Sequence, residues 1–357
     1  MEIDLDLLPP EQRKAKPAPD DDLPFGDIYT DHMLMVDYKE GQGWFNARIV
    51  PFADICLSPA AITIHYAQSL FEGMKCYRRQ DNGLQLFRPR DNFTRLNQTA
   101  ERMCMPQIDR DFALASLKKL LDIEQDWVPS SQGSSLYVRP TMMATEPHLG
   151  VRPGNEYLYF VILSPVGAYY KTGFNPVKIL VSDKYSRAAR GGVGHVKAAG
   201  NYAASLYAAR EAQAQGFTQI LWLDATEHKY VEELGTSNMF FLFEDTVVTP
   251  ELSGSILPGI TRLTVLDLAR EWGMKVEERA VSIDEVMTQA KQGKLTEAFA
   301  SGTAVVISPV SEIHYKEAHV QIGDGQTGPL ARKLFDEITG IQYGTKPDTH
   351  GWVEKIT

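Results

Sequence analysis

The chain has 357 residues, 43% of them hydrophobic, and a formal net charge of −10 at pH 7. That length and apolar share are enough for a sizeable core and two domains. The negative balance speaks against nucleic acid and anionic membranes as partners, because both require a basic face.

Residues 1–24 read as an irregular N-terminal arm, since the Pro- and Asp-rich stretch with Asp20, Asp21 and Asp22 holds too little apolar surface to fold alone. From 25 to 165 short β-branched and aromatic runs alternate with helical patterns, which predicts a smaller α+β domain. Helices are expected over 91–105 and 111–124, and a buried strand over 157–163. Pro and Gly punctuation then marks an interdomain linker over 166–175. The remainder, 176–357, is expected to form a larger domain. In it 177–182 and 219–223 are strand-like, and Asn201 is positioned to cap a helix running through Ala214 and stopping near Gly216. A hairpin is expected over 241–249 and a helix over 261–272, and Ser282-Ile-Asp-Glu285 forms a capping box. Strands and helices mix without strict alternation, so the fold class is α+β rather than a doubly wound sheet.

The chemistry gathers around Lys197, in Arg190-Gly-Gly-Val-Gly-His-Val-Lys197-Ala-Ala-Gly-Asn-Tyr202. Small residues on both sides let a cofactor approach the backbone and keep water off the amine, which suits Schiff-base formation. A single lysine is more often a solvated charge. Gly192-Val193-Gly194 lacks the third glycine of a dinucleotide fingerprint, and the chain has no P-loop. The weight comes from a companion series: Glu233-Leu-Gly-Thr236-Ser-Asn238-Met-Phe240, then Val247-Val-Thr249, then Leu257-Pro-Gly-Ile260-Thr261-Arg262.

This ordered series resembles the signature of the class IV, pyridoxal-phosphate-dependent aminotransferases. Upstream, His65-Tyr66-Ala-Gln-Ser-Leu-Phe71-Glu-Gly-Met-Lys75, Leu86-Phe-Arg-Pro89 and Ser135-Leu-Tyr137-Val-Arg139-Pro140 are similar to branched-chain amino acid aminotransferases, over about residues 25–352. The resemblance implies a two-domain fold type IV enzyme with pyridoxal 5'-phosphate held between the domains. Lys197 would be the catalytic amine, Glu233 would face the pyridine nitrogen and Tyr202 the phenolic oxygen. Arg95, the helix start at Ile260 and Thr261, and Thr303 would meet the phosphate, with Thr236 and Leu257 also against the cofactor. No metal is expected. Glu232, next to Glu233, points to the opposite face of its strand.

The resemblance further implies that leucine, isoleucine and valine exchange an amino group with 2-oxoglutarate. Phe25, Tyr66, Phe71 and Tyr169 would form an aromatic wall, while Tyr137 and Arg139, two apart on one strand face, would meet the side-chain carboxylate of glutamate. Amides near Thr303 and Ala304 would hold the α-carboxylate. Tyr66, Leu149 and Val151 would complete the pocket across a homodimer. Mammalian relatives carry a CxxC pair after the Gly-Thr-Ala turn, where this chain has Val305 and Ser308. The other reading is a different class IV enzyme, a D-amino acid aminotransferase or aminodeoxychorismate lyase, which the segments around Glu72 and Arg139 disfavour. The three cysteines, Cys56, Cys76 and Cys104, show no pairing pattern, the start of the chain is acidic, and no apolar run could cross a bilayer, so a cytoplasmic protein is expected.

Overall fold

The computed structural model describes residues 1–18, 21–167 and 174–356. Two compact units emerge, one made of Met1–Tyr169, Lys197–Ala199 and Gly340–Thr357, the other of Tyr170–Val196 and Gly200–Thr339. This division departs from the expected one. The segment after Gly340 belongs with the first unit, because Val353–Lys355 pairs with Leu84–Phe87 and extends the first sheet. Three residues around the key lysine join it too. The expected linker at 166–175 lies largely outside the described residues.

Among the described residues the first unit carries a nine-stranded sheet. Its centre is the antiparallel pair Ser135–Ala144 and Glu156–Val166, the latter covering the expected strand. Alternation sends Leu136, Val138, Val161 and Leu163 to one face. There they pack with Phe93, Leu96, Leu117 and Leu120 from the helices Pro89–Arg102 and Arg110–Ile123. The other face keeps Tyr137 and Arg139. The arm is not wholly irregular, since Asp4–Leu5 adds a parallel strand against Gly43–Pro51 and Pro10–Gln12 makes a 3-10 turn. Main-chain pairing along a sheet edge needs no apolar pattern, which is why composition did not reveal it.

The second unit closes a sheet on itself. Val231–Leu234 pairs on one side with Gln219–Leu223 and on the other with Ser237–Phe243. The ring continues through Leu295–Gly302, Val306–Tyr315 and Val177–Val181. Ile179, Leu221, Met239, Phe241 and Ile313 are among its buried residues. The expected hairpin and helices are present, and Ser282 caps its helix with Oγ accepting from the Glu285 amide at 3.1 Å, while the Glu285 carboxylate pairs with Arg279. Asn201 does not cap a helix. The helical stretch is broken into Gly200–Ala203 and Leu206–Ala214, and the Asn201 amide instead donates to the carbonyls of Val193 and Val196. Among the described residues no helix is long and apolar enough to cross a membrane.

Candidate active site

In the first unit, Lys197 is fixed by its main chain. Its carbonyl accepts from the Phe71 amide at 3.1 Å, its amide donates to Thr99 Oγ1 at 3.2 Å, and Ala199 donates to the Ser69 carbonyl. Residues Lys197–Ala199 thus lie alongside Ser69–Phe71, which in turn pairs with Ser135–Ala144. The Nζ stands 4.8 Å from the centre of the Phe71 ring.

Helix Pro89–Arg102 supports this strand from behind. Asn92, Arg95 and Thr99, spaced by three and four, share one helix face. Arg95 donates to both oxygens of Glu72, at 2.7 and 2.9 Å, and Asn92 adds a third bond at 2.8 Å. Both partners are buried, Glu72 completely. Burial alone would raise the Glu72 carboxyl, but the charge and hydrogen bonds of Arg95, then Lys197 and Asn92, outweigh it and hold it below its ordinary value. Arg95 therefore enters any anion site already engaged by a carboxylate, a partner that single-residue reasoning missed.

Phe25, Phe71, Tyr137 and Arg139 come together on the open sheet face. Phe25 meets Tyr137 edge-on at 4.8 Å, Arg139 lies 4.5 Å over the Phe71 ring, and Arg139 donates to the Tyr137 hydroxyl at 3.0 Å. The buried Nε of Arg139 has no hydrogen-bond partner among the described residues. Tyr66 bonds the carbonyl of Leu149, and both are exposed along with Val151. Tyr169 lies outside the described residues. The Phe25–Tyr137 geometry depends on Gly73, where a Cβ would overlap the Tyr137 hydroxyl oxygen and sit 2.9 Å from Cζ. Gly73→Ala is expected to displace the ring and lower stability by about 1–3 kcal/mol. A drop in thermal midpoint with a changed tyrosine near-UV signal checks this; an unchanged midpoint would mean that the ring swings clear.

In the second unit, Glu233 sits opposite Asn238, and Asn238 opposite Ser301, so these three side chains share one face across adjacent strands. Glu233 is buried and paired with Arg187 at 2.5 Å, and it accepts from Asn238 at 3.2 Å. Asn238 also donates to the Leu257 carbonyl at 2.9 Å. A Cβ on Gly259 would overlap Asn238 Oδ1, so only glycine lets the start of helix Ile260–Glu271 come this close. One asparagine thus ties the Glu233 carboxylate to that helix start. Tyr202, Glu233, Thr236 and Leu257 line a single recess with Arg187 and Asn201. Thr303 and Ala304 occupy the turn joining Leu295–Gly302 to Val306–Tyr315.

These features suit a phosphorylated, nitrogen-containing ring. The helix start has no side-chain cap, which leaves its first amides and its dipole for an anion. The buried Ser301 hydroxyl, on the face of Glu233, has no hydrogen-bond partner among the described residues. Arg187 had no motif to announce it, lying ten positions before Lys197. Asn238 stood inside the motif, but its bridging role depends on strand register that spacing does not reveal.

The family model for Amino-transferase class IV matches residues 69–313. Branched-chain-amino-acid aminotransferase 2 of Bacillus subtilis is 49% identical over 344 residues, covering 96% of this chain and 94% of that protein. The solved branched-chain amino acid aminotransferase of Escherichia coli is 27% identical, with a TM-score of 0.75 over 92% of this chain and 99% of its own. The T.th. branched-chain amino acid aminotransferase, solved with pyridoxamine 5'-phosphate, is 26% identical with a TM-score of 0.75 over 90% of this chain and 98% of its own. The chain therefore belongs to the class IV aminotransferases, and within them to the branched-chain amino acid aminotransferases.

Proposed function

We propose that this protein moves the amino group of leucine, isoleucine and valine reversibly to 2-oxoglutarate, with pyridoxal 5'-phosphate as cofactor, as a homodimer in the cytoplasm. One observation carries the reading. Glu233, Asn238 and Ser301 face the same way, and Asn238 ties that row to a helix start open to an anion. Kinship with the branched-chain enzymes supports the substrate class.

Bound pyridoxal phosphate supplies an electron sink and an aldehyde carbon that an amine can bond. Lys197 would provide that amine, and its Nζ would hold or move the proton. Glu233 would face the ring nitrogen, its charge compensated by Arg187. Tyr202 would hold the phenolic oxygen, and Thr236 and Leu257 would flank the ring. The amides of Ile260 and Thr261 and the Thr303 hydroxyl would hold the phosphate, a role the resemblance also gives to Arg95. Ala304 contributes to the α-carboxylate site. Phe25, Phe71 and Tyr137 would bury the aliphatic side chain. Tyr66, Leu149 and Val151 complete the pocket of a second copy, and the exposure of Leu149 and Val151 is in keeping with that role. A reducing compartment suits the three free thiols.

The decisive experiment is borohydride reduction of the purified protein, then peptide mapping, with an amino-donor panel against 2-oxoglutarate run in parallel. Label on Lys197 and turnover of the three branched donors are expected. A protein that stays colourless and unlabelled with added pyridoxal phosphate would sink the assignment.

Arg139 tests dual recognition. Arg139→Met removes a charge-assisted bond to the glutamate side chain that leucine never makes, a loss of about 1.5–3 kcal/mol. The half-reaction with glutamate should slow by about ten- to a hundredfold more than that with leucine in single-turnover measurements. Equal slowing of both would make Arg139 a support for the Phe71 ring instead.

A further inference from the structure

Behind Glu233 the second unit holds another cavity, of about 290 Å3, bordered by Arg190, Asp224, Glu227, Glu232, Glu251 and Ser255. Glu232 and Glu233 are successive residues of one strand and face opposite ways. Glu232 is only 5% exposed. Its Oε1 accepts from the Ser255 hydroxyl, while its buried Oε2 has no hydrogen-bond partner among the described residues. A carboxyl oxygen left without a donor in such a place is costly, and a ligand N–H would satisfy it. Burial raises the Glu232 carboxyl above its ordinary value in spite of Ser255 and the charges of Arg187 and Arg190.

The character of the ligand follows from the remaining wall. Asp224 is already used, since its two oxygens accept from the amides of Thr226, Glu227, Lys229 and Tyr230. Glu227 and Glu251 are exposed at the rim, against one bordering arginine. The charge balance favours a cation. Among the described residues no group of His, Cys, Asp and Glu is placed to hold a metal ion, so the cation is organic. The volume is at the small end of ligand sites.

We infer that this cavity binds a short aliphatic diamine, with one ammonium donating to Glu232 Oε2 and the other meeting the rim carboxylates Glu227 and Glu251. Ser255 connects it to the opposite face. The Ser255 hydroxyl bonds Glu232, and its carbonyl accepts from Arg187 at 2.6 Å, the same arginine that pairs with Glu233. A diamine that recruits the Glu232 carboxylate therefore acts on the group holding Glu233, and the coupling is reciprocal.

The test is calorimetric titration of the cofactor-loaded enzyme with 1,4-diaminobutane, with succinate as a probe of similar length and opposite charge. Binding of the diamine alone is expected, weakened at least about tenfold by Glu232→Gln. The double variant Glu227→Gln, Glu251→Gln alters only exposed side chains, and it too should weaken binding, so the inference stands open to test even if Glu232→Gln fails to fold. No heat with the diamine, equal binding of succinate, or undiminished affinity in either variant would overturn it.

Discussion

Lys197→Ala lowers transamination by about four orders of magnitude, the upper end of what a positioned proton-transfer group contributes. The loss is expected to be chemical and not structural. The contacts that fix this segment run through the backbone, to Phe71 and Ala199's partner Ser69, and alanine keeps them all. What the fold forfeits includes the ammonium above the Phe71 ring, worth about 0.5–1 kcal/mol, and its attraction for the buried Glu72 carboxylate. Turnover with leucine and 2-oxoglutarate, set beside the thermal midpoint, separates the two effects. Retention of more than a few percent of the rate would remove Lys197 from the proton path.

Arg95→Met is expected to cost about 3–5 kcal/mol of stability, because it leaves the fully buried Glu72 carboxylate without its guanidinium. Its pH dependence has a definite sign. In the parent protein the Glu72 pKa lies below its ordinary value, so its contribution is complete above about pH 4.3 and is lost as pH falls through the depressed folded value. Without Arg95 the burial penalty prevails and Glu72 takes up a proton more readily. The deficit of the variant should therefore shrink as pH drops from 7 toward 5. Urea unfolding of both proteins after cofactor removal measures this, and a deficit that is absent, or constant with pH, would refute it.

What could be read from the sequence was what lies in linear order or local period. The series from Glu233 to Arg262 announced both the family and a hairpin, and Ser282 with Glu285 announced a helix start that the structure shows hydrogen-bonded. What escaped depends on groups distant in sequence. Glu72 and Arg95 find each other across 23 positions, and Ser301 reaches the face of Glu233 only through the register of three strands. Asn201 looked like a cap because its residue type suits one. It lies instead inside the short helix Gly200–Ala203, and its side-chain NH2 donates to the carbonyls of Val193 and Val196. The fate of residues 353–355 was invisible for a further reason: an edge strand pairs through its backbone, and three residues carry too little side-chain pattern to reveal it.

That edge pairing bears on how the protein is made. During synthesis Leu84–Phe87 leaves the ribosome long before Val353–Lys355 exists, a delay on the order of tens of seconds at about 5–20 residues per second. For that interval the nascent first sheet presents an unpaired edge of four buried-type residues, a template for a neighbouring chain. On crowded polysomes that edge is open to pairing with a neighbouring nascent chain until the C-terminal strand emerges.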